Sequence, residues 1–168
     1  MILGMSVATF VIVHVIISLI AIVAGLIVMF GMLGSNRMPG LTAIFLLFTI
    51  LTSATGFVIP PLLTEKMLPS HIVGILSLVL LAIACIALYV VNLAGPWRWI
   101  YVLTASLSLY FNVFVLLIQS FLKIPALTAL APGNPPSGPV FAVVQGIVLV
   151  FFVLMIIGAW RRFHPKPA

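Results

Sequence analysis

The sequence predicts an all-α membrane protein, a bundle of five transmembrane helices that forms one domain over residues 1–168. The chain is 65% hydrophobic and only 5% charged, whereas soluble globular domains have about 25% charged residues. Its apolar residues form five runs, each at or near the roughly 20 residues that cross the hydrocarbon core as a helix. The runs do not alternate apolar and polar residues as the strands of a membrane barrel do, so we expect helices.

The predicted spans are residues 5–33, 41–59, 71–93, 100–122 and 140–160. No basic residue precedes the first run, which is also too long for a secretory signal, so we interpret it as the first span. The connecting segments are short except for residues 123–139, which hold five prolines and two glycines. Because proline lacks a backbone donor, this last loop is predicted to be irregular and outside the bilayer core, as a lid, a docking surface or a flexible connector.

Basic residues give the predicted orientation. Those on one side are Arg37, Arg98, Arg161, Arg162 and Lys166, against Lys66 and Lys123 on the other. Because basic residues collect in short cytoplasmic loops, the N-terminus is expected outside and the C-terminus in the cytoplasm. The expected location is a cell's inner membrane. The net charge of +6 is attributed to topology and anionic lipids, and nucleic acid is not an expected partner.

Small and hydroxyl residues recur at helical spacing within the spans. On span one, His14, Ser18, Ala21 and Gly25 are separated by four, three and four residues. Such stripes are typical of close helix packing in membranes. Cys85 stands alone in span three, so it forms no disulfide within the chain and is interpreted as a packing residue.

Five polar side chains are predicted to meet in the outer leaflet, beneath the proline-rich loop. Counting along each span places His14, His71 and Gln119 at the outer ends of their spans and Gln145 about 1.5 turns into span five. Asn112, about two turns deeper than Gln119, is the further candidate. Two histidines at matching depth suit axial ligation of a b-type haem or binding of a metal ion. Histidines at helix ends can instead reach the headgroups, and that alternative stays open.

The expected chemistry is limited by the near absence of charge inside the spans. The only acidic residue, Glu65, is predicted to lie in a loop. The ion-coupling groups of secondary transporters are therefore missing, and no GxSxG or HExxH motif occurs. The sequence favours a non-enzymatic protein.

A resemblance adds to this picture. His14 followed by Gly25, the segment 52–57 late in span two, and His71 with Gly74 at the head of span three resemble small bacterial multi-pass membrane proteins. Their helical plan is similar to that of histidine-ligated b-type cytochromes. The resemblance covers roughly residues 11–122 and implies haem b as a cofactor for the two histidines.

Three functions remain open. The first is an accessory or scaffold subunit, with other membrane subunits or further copies of the chain as partners. The second is a redox, quinone-binding or lipid-binding protein that uses the outer-leaflet polar pocket. The third is a passive channel, which five largely aliphatic helices would form only by oligomerisation.

Overall fold

The computed structural model describes residues 2–59 and 69–165, and within them the prediction of five long apolar helices is confirmed. These helices are α1 (Val7–Leu33), α2 (Pro39–Gly56), α3 (Pro69–Cys85), α4 (Trp97–Lys123) and α6 (Pro139–Arg162), with a short α5 (Pro125–Thr128) between the last two. A π-helical segment, Ile86–Val90, extends α3. Each of the five, counting α3 together with this segment, is long and apolar enough to cross a membrane.

The helix starts follow local chemistry. Ser6 caps α1 by accepting a hydrogen bond from the Thr9 backbone N–H at 3.1 Å. Proline occupies the first turn of α2, α5 and α6, where its missing N–H costs nothing and its fixed φ suits the helix.

Two predicted spans end earlier than expected. The second, predicted to reach residue 59, ends at Gly56, where the Phe57 and Val58 N–H groups turn back to the Ala54 and Thr55 carbonyls. The third, predicted to reach residue 93, ends at Val90. Asn92 and Leu93 adopt left-handed conformations, with φ of 52° and 60°, that no α-helix continues.

The proline-rich loop was predicted to be irregular, but part of it is helical. Lys123 is the last residue of α4, and α5 forms one turn directly after Ile124. Thr128 stabilises this turn by donating its hydroxyl to the Phe121 carbonyl at 2.7 Å. Three residues used in the sequence analysis, Glu65, Lys66 and Lys166, lie outside the described residues.

Helix α4 lies at the centre of the bundle. It packs against α1, α2, α3 and α6, whereas α6 packs only against α4 and α1 among the described elements. The side chains of Tyr101, Ala105 and Leu109 on α4 are each at most 1% exposed. Helices α3 and α6 do not touch one another in the described part of the chain.

Most hydroxyl groups of the spans bond within their own helix. Each donates to a carbonyl one turn earlier, as seen for Ser18, Thr49, Thr52, Thr104, Ser108 and Ser120 at 2.7 to 2.9 Å. These groups therefore need neither water nor a ligand.

The helices alternate in direction, so the bundle has two distinct ends. At the end that carries Arg37, Arg98, Arg161 and Arg162, here called the basic end, Arg98 donates to the Phe163 carbonyl at 2.8 Å. The His164 N–H donates to Ser35 Oγ, also at 2.8 Å. The opposite end carries His14 and His71 and is called the histidine end.

Candidate functional site

The best candidate site at the histidine end is built around the last turn of α2. His14 on α1 places its Nδ1 atom 2.7 Å from Thr55 Oγ1 on α2. A Cβ atom on the next residue, Gly56, would lie 3.7 Å from His14 Cε1, which is ordinary van der Waals contact. The imidazole therefore packs directly on the end of α2.

The hydrogen bonds of Thr55 favour one of the two neutral forms of the His14 ring. The Thr55 hydroxyl lies 2.6 Å from the Leu51 carbonyl, which can only accept. The single hydroxyl proton is used there, so all contacts are satisfied when Nδ1 of His14 donates to Thr55. In the neutral ring, Nε2 then presents its lone pair, the form in which histidine binds metals and haem iron.

His71 contacts the same segment of α2 through a different residue. Its ring stacks on that of Phe57, with centroids 5.8 Å apart and planes inclined by 23°. The Phe57 ring also fills the space above Gly74, where a Cβ atom would meet it at 3.0 Å. Glycine at position 74 thus permits this close approach of α2 and α3.

The two predicted histidines therefore contact neighbouring residues at the end of α2. His14 packs on Thr55 and Gly56, and His71 packs on Phe57. Helix α2 connects them, since α1 and α3 do not pack on each other in the described chain. Lys123, at the end of α4, acts electrostatically on His14 and so also lies near this end.

Asn112 and Gln119 lie on one side of α4, as the sequence predicts. At about 100° per residue, this side also includes Tyr101, whose side chain interacts with Thr42 of α2. The Asn112 Nδ2 atom is buried and has no hydrogen-bond partner among the described residues. Gln119 is half-buried on the same side, nearer the histidine end.

Gln145 was predicted to lie beside Asn112 and Gln119, but the structure places it elsewhere. Its Nε2 atom donates to the Phe114 carbonyl at 3.4 Å, and Phe141, one turn earlier on α6, packs edge-on against Phe121 at 5.3 Å. Phe114 and Phe121 lie on nearly the opposite side of α4 from Asn112 and Gln119, at about 100° per residue. Counting residues along a span predicts how deep a side chain lies in the membrane. It does not predict which neighbouring helix that side chain faces.

Within the described residues, no group of three or more His, Cys, Asp or Glu side chains is placed to hold a metal ion. The described residues also contain no carboxylate side chain. Among the described residues, the histidine end thus offers imidazole, hydroxyl and amide groups, which can ligate or hydrogen-bond.

Sequence reasoning missed a cavity at the basic end. It has a volume of about 300 Å³ and is lined by Arg37, Pro39, Thr42, Leu88 and Tyr89. The two walls are about 50 residues apart in the chain, and Leu88 and Tyr89 belong to the π-helical segment. No periodicity in the sequence signals that segment, and Arg37 had been interpreted only as a marker of topology.

Comparison of the chain with protein-family models, with curated proteins and with solved structures gives no match. The resemblance to small bacterial multi-pass membrane proteins therefore stays a prediction, and function has to be argued from the geometry of this molecule.

Proposed function

We propose that the protein is a non-enzymatic accessory subunit of a membrane complex, and that α6 packs against a helix of a partner membrane protein. The observation that carries this proposal is Gly146, a glycine within α6 that no part of the described chain approaches. A Cβ atom added there would meet nothing within 4 Å.

Gly40, in the first turn of α2, also has nothing within 4 Å of an added Cβ atom, whereas two glycines farther along their helices are closely packed. Added Cβ atoms on Gly25 and Gly158 would clash with neighbouring helices, at 2.6 Å from Leu109 and 2.8 Å from Leu33. Those glycines serve packing inside the bundle. Gly146 has no such role, although glycine in a helix costs about 1 kcal/mol relative to alanine.

The surface around Gly146 suits a helix partner. Ala142, one turn earlier on α6, is exposed, and two small residues four apart allow another backbone to approach closely. Helix α6 also has the smallest buried share of the five spans, 11% of its most apolar 18 residues against 44% for α4. Its outward surface is therefore large and nearly free of polar groups.

A substitution at Gly146 tests the proposal. In Gly146→Leu, the new side chain fills the surface between Ala142 and Gly146, so a partner that packs there is lost. Ala43→Leu is the matched control, because Ala43 is an exposed small residue on the span helix α2. The measurement is the stoichiometry of partner proteins that co-purify in mild detergent, together with cross-links from a photoreactive residue at position 150.

Loss of a stoichiometric partner in Gly146→Leu alone is the expected result. A wild-type protein that purifies without partners contradicts the proposal, as do cross-links only to a second copy of the chain. Equal retention of the partner in both variants would place the contact elsewhere and would also contradict it.

A second function, binding of haem or another small ligand, is favoured by one specific observation. The Thr55 contact orients His14 so that Nε2 is left with its lone pair. An absorption spectrum of the oxidised and dithionite-reduced protein tests this function. A reduced b-type band that disappears in both His14→Ala and His71→Ala supports it, and a colourless wild-type protein contradicts it.

We further propose that the basic end faces the cytoplasm in a cell's inner membrane. The support is that Arg37, Arg98, Arg161 and Arg162 share one end of the bundle, whereas Lys123 lies at the other. A fluorescent protein fused to the C-terminus is expected to fluoresce, and alkaline phosphatase fused there is expected to stay inactive. The reverse pattern would invert the orientation.

A further inference from the structure

The cavity at the basic end combines an apolar wall with a cation that has no carboxylate side chain to pair with among the described residues. Pro39, Leu88 and Tyr89 supply most of the apolar lining, and the half-buried Arg37 supplies the charge. Its volume of about 300 Å³ lies at the lower limit of pockets that hold small ligands, about 300 to 1,000 Å³. The lining therefore suits a molecule with an apolar part and an anionic part.

Arg37 is held in place through its backbone carbonyl. The Thr42 hydroxyl donates to the Arg37 carbonyl at 2.9 Å and fixes the loop to the first turn of α2. The guanidinium makes no ion pair within the described chain, where carboxylate side chains do not occur. By contrast, Arg98 at the same end already donates to the Phe163 carbonyl.

The opposite wall of the cavity departs from regular α-helix. From Ile86 to Val90 the chain is π-helical, and the Val91 N–H donates to the Ile86 carbonyl, five residues back, at 3.0 Å. Such segments are rare and occur frequently at functional sites. Here the segment carries both Leu88 and Tyr89 into the wall that faces Arg37.

We infer that this cavity binds an anionic phospholipid, with the phosphate against Arg37 and part of an acyl chain between Leu88 and Tyr89. The position at the end of the spans is where lipid headgroups lie. An acyl chain meets apolar surroundings in the bilayer as well as in the cavity, so the choice among lipids rests on headgroup charge. The site therefore distinguishes anionic from zwitterionic lipids of the same chain length.

Lipid titration followed by native mass spectrometry of the full-length protein tests this inference. The probes are phosphatidylglycerol and phosphatidylcholine with identical acyl chains. We expect phosphatidylglycerol to bind the wild-type protein about fivefold more tightly, the effect of one basic residue near the surface. Arg37→Gln removes this preference, whereas Arg162→Gln, an exposed cation at the same end, leaves it unchanged.

A second variant keeps the test valid if Arg37→Gln does not fold. Leu88→Phe reduces the cavity while retaining Arg37, and we expect it to weaken the most tightly bound phosphatidylglycerol. Equal loss in Arg37→Gln and Arg162→Gln would overturn the inference, as would equal binding of the two lipids by the wild-type protein. Displacement of the lipid by excess inorganic phosphate would identify a soluble anion as the ligand and would overturn it as well.

Discussion

At the scale of single residues, His14 and Thr55 show how a polar pair is accommodated at the end of a membrane bundle. Thr55 donates to its own helix and accepts from His14, so one hydroxyl serves two neighbours. Among the described residues, the hydroxyl of neighbouring Thr52 makes only the contact within its own helix, to the Phe48 carbonyl at 2.8 Å. Two threonines three residues apart thus have different roles.

This difference predicts different effects of the same substitution. Thr55→Val leaves the His14 N–H without its acceptor, and we expect the free energy of unfolding to fall by about 1 kcal/mol. Thr52→Val should change it by less than half of that, since the Phe48 carbonyl keeps its backbone bond. Unfolding in mixed detergent micelles measures both, and equal losses would show that His14 does not depend on Thr55.

Gly25, one of the small residues predicted to line α1, lies close to side chains of two other helices. A Cβ atom there would lie 2.6 Å from Leu109 Cδ1 and 2.8 Å from the Phe45 ring, and both side chains are 1% exposed. This glycine permits α1, α2 and α4 to meet at one point.

Gly25→Ala is therefore expected to destabilise the protein by about 1 to 3 kcal/mol through overpacking. Gly40→Ala is the control, because nothing lies within 4 Å of a Cβ atom there and alanine is the better helix former. Thermal unfolding in detergent measures both variants. A Gly25→Ala protein as stable as the wild type would mean that Leu109 and Phe45 move aside without cost.

At the scale of elements, the π-helical segment and the turn after it depart furthest from what the sequence predicts. The Leu93 N–H reaches back six residues to the Ala87 carbonyl at 2.8 Å. The exposed Asn92 and the buried Leu93 both have positive φ, which is costly for residues other than glycine and asparagine. This turn ends α3 and directs the chain towards α4.

Substitutions at Asn92 test the cost of this turn. Asn92→Ile places a β-branched residue at φ of 52°, and we expect a loss of about 1 to 2 kcal/mol in unfolding free energy. Asn92→Gly should match or slightly exceed the wild type, because glycine adopts this conformation freely. If the three proteins unfold at the same temperature, the turn has a different conformation from the one described.

The elements that the sequence predicts well are those that depend on composition alone. Long apolar runs indicate spans, and the helices that begin at Pro39 and Pro139 start within two residues of the predicted spans. The π-helical segment and α5 were missed because each depends on a few local hydrogen bonds. Neither leaves a periodic trace in the apolar pattern.

At the scale of the whole molecule, three parts of the chain meet at the basic end. Arg98 donates to the Phe163 carbonyl, and Ser35 Oγ accepts from the His164 N–H. The Phe163 side chain is 2% exposed, and its ring centroid lies 6.0 Å from that of Tyr101. These contacts fix the end of α6, the helix that the bundle covers least.

We expect Arg98→Gln to release this end. Losing a charged donor should raise the population of the open state about fivefold, for a cost of about 1 kcal/mol. Trypsin should then cleave more rapidly after Arg162, since cleavage follows the open population. Lys123→Gln at the histidine end is the control, and equal cleavage rates in the two variants would show that Arg98 does not hold Phe163.

The sequence predicts how deep the site residues lie in the membrane, but not which neighbouring helices their side chains face. Span lengths place His14 and His71 at one end, because position along a helix is nearly a count of residues. Side-chain direction depends on which helices become neighbours, and nothing in the sequence specifies that α6 lies on the far side of α4 from Asn112. Gln145 was misplaced for that reason, and the cavity beside Arg37 was not foreseen.

The contacts of Ser35, Arg98 and Phe163 also set an order of events during synthesis. A membrane chain leaves the ribosome from its N-terminus, so the first loop waits while four more helices are made. Only when the segment after α6 emerges can Phe163 and His164 meet the partners that hold α6. Until then α6 is attached by little more than its contacts with α1 and α4, and the nascent protein is open along this side.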